Sequence, residues 1–212
     1  MAKKERLSAF NRENILDAAR RLLLEKGIAQ TTMDDISKEA DYSKSTVYVY
    51  FKSKDEIYDY IVLEQFELLK AAVGEVLYQA PGFPEGYFAI CAVMTEAYER
   101  YPLFFEGILS EVAIPDDDAD GVLAKIHKVG EDIDKIIGDY MNGCAAAGQI
   151  SLDIPPLRAV FIIWSGIAGI IAMAHKKEAY INKALGVTKE IFMQDGFCML
   201  LKSIKGDYDD EN

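Results

Sequence analysis

Thr31, Thr32, Ser43, Lys44, Ser45, Thr46, Tyr48, Tyr50, Lys52 and Lys54 gather hydroxyl and ammonium groups within one short stretch of the chain. These groups suit recognition rather than bond-making. Short hydroxyl-bearing residues such as Ser43, Ser45 and Thr46, with Lys44 among them, can hydrogen-bond to base edges in a major groove. Tyr48, Tyr50, Lys52 and Lys54 can hold phosphates by hydroxyl or ammonium contacts. Catalytic constellations are missing by comparison. Trp164-Ser165-Gly166 lacks the earlier glycine of a nucleophile elbow. There is no phosphate-binding glycine loop and no H-E-x-x-H. His127 and Glu131 stand one helical turn apart and can share a metal, but two ligands do not make a site, and an exposed polar face is the better reading. No catalytic residue, metal site or cofactor is expected.

The groups must be positioned by helices, because helical spacing runs through almost every long segment and no period-two run is convincing. A first helix is expected over Asn11–Lys26, with Ile15, Ala18, Ala19, Leu22 and Leu23 on one face and Gly27 as its stop. A second begins at Thr32, which caps it, with Asp35 near its positive end and Met33, Ile36 and Ala40 turned inward. Asp41-Tyr42 breaks the chain, and Ser43 caps a third helix to Phe51. Ser53 caps a fourth, with Glu56 in the capping-box position, running to Gln79. Further helices are expected over Pro84–Arg100, Pro102–Val112, Asp117–Ala147, Pro156–Lys177 and Thr188–Lys205. The fold class is all-α, about nine helices, with residues 1–54 forming a small head and residues 55–212 a larger body.

Two short capped helices joined by a tight turn make a helix-turn-helix signature over Thr31–Lys54. The stretch resembles the DNA-binding segment of the TetR family of regulators. Thr32–Ala40 is similar to the family's bracing helix and Ser43–Tyr48 to its recognition helix. Tyr50-Phe51 and Lys54 are similar to its aromatic pair and phosphate-binding lysine, and Ile15, Ala18, Ala19, Leu23 and Gly27 fit the preceding helix. Strong resemblance covers Asn11–Tyr60; beyond that only the architecture matches. Asp41 stands where the family often has Gly, and the turn is expected to need left-handed geometry, which Asp tolerates. Ser45 and Val49 also depart from the family pattern and leave the operator sequence open.

Charge placement agrees. The 212 residues carry a net charge of −12, yet residues 1–54 hold 11 Lys and Arg against 8 Asp and Glu, a net of +3. A cationic head on an acidic body points to a polyanion met by the head alone. No secretory signal is visible after the basic N-terminus. The apolar run Ala159–Ala174 falls short of the roughly 20 residues that span a bilayer, so it is read as a helix buried in protein. Cytoplasmic localisation and no membrane partner are expected. Cys91, Cys144 and Cys198 form no C-x-x-C pair and read as small buried hydrophobes, with redox sensing as the alternative.

The resemblance implies that the body dimerises and senses a small-molecule effector, which the sequence does not name. Phe161, Ser165, Ala168, Gly169 and Ala172 of one late helix, with Phe192, Phe197 and Leu200 of the last, are the candidate dimer interface. The alternative is that these helices bury each other within one chain. Phe83, Tyr87, Met94, Tyr98, Phe104, Phe105, Tyr140, Met141 and Trp164 are candidate pocket residues, with an ordinary core as the alternative. The expected function is that of a regulator, read as a repressor, whose homodimer grips a near-palindromic double-stranded DNA operator and is released by the effector. The rival class is a helical protein-interaction adaptor without sequence-specific DNA binding.

Overall fold

Helix α1 runs over Ala2–Gln30, with a break at Gly27 (φ 78°, ψ 170°) that only a residue free to take positive φ adopts readily. Ile15, Ala18, Ala19 and Leu23 recur on its buried face, as the spacing requires. The helix begins nine residues before the expected Asn11. Residues 3–10 are exposed, so no core-facing periodicity announces them, but Ala, Lys, Glu, Arg and Leu extend a helix already nucleated. The structure, a computed structural model, describes residues 2–102, 105 and 121–205.

Helices α2 (Met33–Glu39), α3 (Lys44–Tyr50) and α4 (Lys54–Gln79) follow at the expected places. Then come α5 (Phe83–Arg100), α6 (Val122–Ala146), α7 (Pro156–Lys176), α8 (Glu178–Leu185) and α9 (Lys189–Lys205). The described residues contain these nine helices and no strand, which agrees with the all-α expectation. Most of the expected helix Pro102–Val112, and the start of the one expected from Asp117, lie outside the described residues. Helix α8 is a correction, since no helix was expected between Lys177 and Thr188. Only Ile181 of α8 is buried, so the segment carries almost no apolar stripe to read. Gly186 (φ 69°) ends it in left-handed geometry.

The chain forms two compact units: Met1–Phe66 with Ser110–Lys128, and Glu67–Leu109 with Val129–Asn212. In the first, α1 packs on α2 and α2 on α3. Ile15, Ala18, Ala19, Ile36, Val47, Phe51 and Ile57 are buried at its centre. The opening of α4 belongs to this unit, and the rest of α4 to the second.

In the second unit, α7 packs along α9 and also against α5, while α8 touches α7 and α9. The α7–α9 approach depends on two missing side chains. A Cβ at Gly166 would press on Leu200, and one at Gly196 would press on Ile170. The final helices therefore do bury each other within one chain, but only in part. Val160, Ile167, Ala168, Ile171 and Ala174 of α7 are buried, whereas Leu157, Phe161, Ile162 and Met173 are exposed. At 21 residues α7 is long and apolar enough to cross a membrane by length and composition, and a third of its most apolar window is buried in the chain. The helix is thus longer than the apolar run suggested, and less covered.

Candidate nucleic-acid interface

The first requirement is a rigid platform, and the sequence supplies it through caps. Thr32 accepts a hydrogen bond from the Asp35 backbone N–H at 3.2 Å, and the Thr32 N–H donates to the Asp35 carboxylate at 3.0 Å. This reciprocal capping box satisfies two of the free donors of α2. Lys26 donates to the same carboxylate at 2.8 Å. Lys26 and then Thr32 hold the Asp35 carboxyl down at about 2.

The turn that follows closes as a Schellman motif. The Tyr42 N–H donates to Ser37 O at 2.9 Å and the Asp41 N–H to Lys38 O at 3.2 Å. This wrapping requires positive φ at Asp41, which sits at 56°. The left-handed geometry expected there is observed. Ser43 then caps α3, accepting from the Thr46 N–H at 3.1 Å.

Helix α3 is held from behind by buried Val47 and Phe51 and by Asn11 and Arg12 of α1. Asn11 is the central brace. Its amide donates to the Tyr50 hydroxyl at 2.9 Å, and its carbonyl accepts from the Tyr42 hydroxyl at 2.9 Å. One side chain thus ties the turn before α3 to the last residue of α3. Arg12 donates to Tyr50 O at 3.3 Å, and its guanidinium lies over the rings of Phe51 and Tyr60 at 4.3 and 3.9 Å. Asn14 donates to Ala40 O at 3.1 Å. Sequence reasoning missed these three residues. The signal was present as polar side chains on the edge of an otherwise apolar helix face.

With its inner face occupied, α3 presents Lys44, Ser45, Tyr48 and Val49 outward, Val49 being 79% exposed. Ser43 and Lys52 flank them and are also exposed, while Thr46 is half-buried. Lys44 pairs with Asp34 at 2.7 Å, both ends in solvent, and this contact raises the Lys44 pKa. An exposed pair of this kind is easily exchanged for another anion.

Three expected contact residues do not face outward. Thr31 is 1% exposed and donates its hydroxyl to Gly27 O at 2.8 Å, tying down the broken end of α1. Lys54 donates to Ile28 O at 2.8 Å, so its ammonium serves the same helix end. Tyr50 is half-buried, its hydroxyl committed to Asn11. Thr32 is exposed, but its hydroxyl is engaged with Asp35 at 2.7 Å.

In the second unit the aromatic residues expected to line a pocket fall mostly into the core. Phe83, Tyr87, Met94, Tyr98, Phe105 and Met141 are buried, and Tyr140 and Trp164 are half-buried. Phe104 lies outside the described residues. The Tyr87 hydroxyl donates to Phe197 O at 3.0 Å, and burial pushes its pKa well up. Tyr140 donates to Gly82 O at 2.6 Å. Open space lies instead in a groove of about 440 Å³ between α5 and α9, lined by Phe88, Cys91, Thr95, Glu96, Glu99 and Gln194 among others. Burial pushes the Cys91 thiol up to about 12, so it stays protonated and behaves as the small hydrophobe expected. Of the residues expected at the dimer interface, Phe161, Ser165 and Gly169 are exposed and Ala172, Phe192 and Leu200 half-buried. Ala168 and Phe197 are buried in the chain's own packing.

Known proteins match this arrangement. The family described as bacterial regulatory proteins, tetR family, matches over residues 15–61, which takes in the buried part of α1, all of α2 and α3, and the start of α4. The transcriptional regulator AcrR of Shigella flexneri is 28% identical over 180 residues, 81% of each chain. IcaR of Staphylococcus epidermidis, a negative transcriptional regulator of a biofilm operon, is 43% identical over 47 residues, 22% of this chain and 25% of IcaR. Among solved structures, a TetR/AcrR-family regulator from Thermobifida fusca superimposes with a TM-score of 0.66 at 20% identity, over 93% of this chain and 98% of that one. FadR from Bacillus subtilis, bound to stearoyl-CoA, does so at 0.67 and 16% identity, over 91% and 98%. At these identities the structures share a fold, and the proteins named are regulators rather than enzymes. By the N-terminal match over residues 15–61, the curated relatives and the common fold, the chain is similar to the TetR family of helix-turn-helix transcriptional regulators.

Proposed function

We propose that the chain is a cytoplasmic repressor whose homodimer binds a near-palindromic operator and lets go when a small-molecule effector occupies the body. The observation that carries this reading is α3. It is capped by Ser43, braced through Asn11, and leaves Lys44, Ser45 and Tyr48 exposed. A short rigid helix with exposed, exchangeable polar groups at its N-terminal end is what a major groove accepts.

The exposed side of α7 supports dimerisation. Leu157, Phe161, Ser165, Gly169 and Met173 recur every fourth residue on its exposed side, with Ile162 beside them. An apolar stripe of this length calls for cover, and a two-fold partner supplies the same stripe in return. Two protomers would also set two α3 helices to read half-sites roughly 34 Å apart.

The effector would enter the α5–α9 groove. Its apolar floor is edged by Glu96 and Glu99, which favours an apolar body with a donor or cationic end. FadR of Bacillus subtilis holds stearoyl-CoA, but an acyl-CoA would bring its phosphates toward two carboxylates here. Preferential binding to a conformer with misplaced α3 helices would lower DNA affinity by linkage.

Genomic-fragment selection with the purified protein, followed by footprinting, tests the reading. A protected near-palindrome, lost with Lys44→Ala and Tyr48→Ala, is expected. No protected sequence and no loss of binding with salt would overturn it and leave the adaptor reading.

A further inference from the structure

Most cations of the head are already engaged within the chain. Arg20 pairs with Glu13, Asp17 and Glu64, Arg21 with Glu39, Lys26 with Asp35 and Lys44 with Asp34. Arg12 lies over two rings, and Lys54 donates to a helix-end carbonyl. Among residues 1–54 that leaves Lys3, Lys4, Arg6, Lys38 and Lys52, none of which makes an ion pair with any described residue. Three of the five stand within the first two turns of α1.

Their position on the helix is informative. Lys3, Leu7, Asn11 and Asn14 follow one another at spacings of four, four and three, so they share a face. Lys4 stands two turns before Asn11 on the same side, and Arg6 lies about 60° from Lys3 on the opposite edge of the face. Asn11 turns this face to Tyr42 in the turn before α3 and to Tyr50 at its last residue, and Asn14 turns it to Ala40. The helix that leads away from this brace therefore carries Lys3 about 12 Å beyond Asn11 along its axis. Residues 3–10 are all exposed, including Leu7 and Phe10. Glu5 is the one acid among them, and nothing in the first unit's core needs this extension.

We propose that Ala2–Phe10 of α1 is a second DNA-contact element, in which Lys3, Lys4 and Arg6 meet backbone phosphates of the duplex beside the groove that α3 enters. Charge complementarity selects this occupant. The segment is cationic and unpaired, whereas a further copy of the strongly acidic body is the only other anion the sequence itself supplies. The inference rests on the reading of the chain as a DNA-binding regulator. These phosphate contacts carry no sequence information; they add affinity and fix register.

Phosphate contacts are read directly in the salt dependence of binding, and a 30-base-pair duplex of mixed sequence serves as probe. Fluorescence anisotropy is measured across NaCl concentrations for the wild-type chain, for K3A/K4A/R6A, and for K3R/K4R as the charge-conserving control. Each lost phosphate contact flattens log Kobs against log[NaCl] by about 0.9, so the triple variant should lose about 2.7 per protomer. Between 50 and 200 mM NaCl the wild type should therefore weaken more than the variant by about 40-fold for each protomer whose arm meets the duplex. K3R/K4R should keep the wild-type slope. An unchanged slope in the triple variant, with wild-type binding steep, overturns the arm and leaves the regulator reading standing. The same holds if the substitutions change only the sedimentation behaviour of the dimer. A wild-type chain that shows no salt-dependent binding at all overturns both. Circular dichroism is expected to show the variants fully folded, because the three side chains make no internal contact.

Discussion

The brace at Asn11 makes a quantitative test of how α3 is held. Asn11→Ala removes two hydrogen bonds at 2.9 Å, from the Tyr42 hydroxyl and to the Tyr50 hydroxyl. Each is worth about 1 kcal/mol net, so the loss is about 2 kcal/mol. Alanine recovers about 0.5 kcal/mol of helix propensity at that position. The balance, about 1.5 kcal/mol, corresponds to a local opening about tenfold more frequent. Because one side chain ties the turn before α3 to its last residue, the effect belongs to that helix and not to the whole molecule. Hydrogen exchange read by mass spectrometry on the full chain is the assay, comparing a peptide over residues 43–52 with one from α7. Exchange in the α3 peptide should accelerate about tenfold while the α7 peptide stays unchanged. Tyr42→Phe and Tyr50→Phe should each cost about 1 kcal/mol, the loss of one hydrogen bond, and neither should add to Asn11→Ala. An acceleration below about twofold, or an equal one in α7, would refute the claim that Asn11 anchors α3.

Two further outcomes follow from local physics. Asp59 is half-buried beside Asp55 and Glu56, and burial first, then those charges, raise its carboxyl to about 6. Because the folded value lies above the ordinary one, the ionised carboxylate opposes folding above pH 6, and stability rises as pH falls from about 6 to about 4. Asp59→Asn should therefore be more stable than wild type at pH 7.5, with the difference fading by pH 4 in urea titrations; a pH-independent difference would contradict it. Gly86 lies under the Tyr140 ring, where a Cβ would overlap the phenol. Gly86→Ala should cost about 1–3 kcal/mol by overpacking, seen as a lower Tm, and an unchanged Tm would show that Tyr140 moves aside freely.

The helix-turn-helix was legible because its signals are local. Thr32, Ser43 and Ser53 are caps that act on backbone groups within three residues, and Asp41 is read from the rarity of left-handed backbone. What residue type does not reveal is direction. Thr31, Tyr50 and Lys54 have the right groups for phosphates, yet each is spent on the protein's own backbone or on Asn11. The body shows the same limit at larger scale. Aromatic content alone does not distinguish a cavity from a core, and Tyr87 and Met94 fill the core, while the groove is edged by Glu96, Glu99 and Gln194. The run Ala159–Ala174 reads as a helix buried in protein, but the share of cover that α9 provides depends on Gly166 and Gly196 meeting Leu200 and Ile170, a three-dimensional register invisible to periodicity.

The Lys44–Asp34 pair bears on how such a protein searches a chromosome. A free lysine at the tip of α3 would be attracted to any stretch of duplex. One already neutralised by Asp34 at 2.7 Å must exchange partners first, and the displaced carboxylate is then left beside a phosphate. Arbitrary sites should therefore detain the molecule only briefly, shortening each pause between encounters. A correct site, with base-edge contacts to compensate the exchange, keeps it longer. Occupancy would then be set by residence at matched sequence rather than by general adhesion, which suits a chain whose body is strongly acidic.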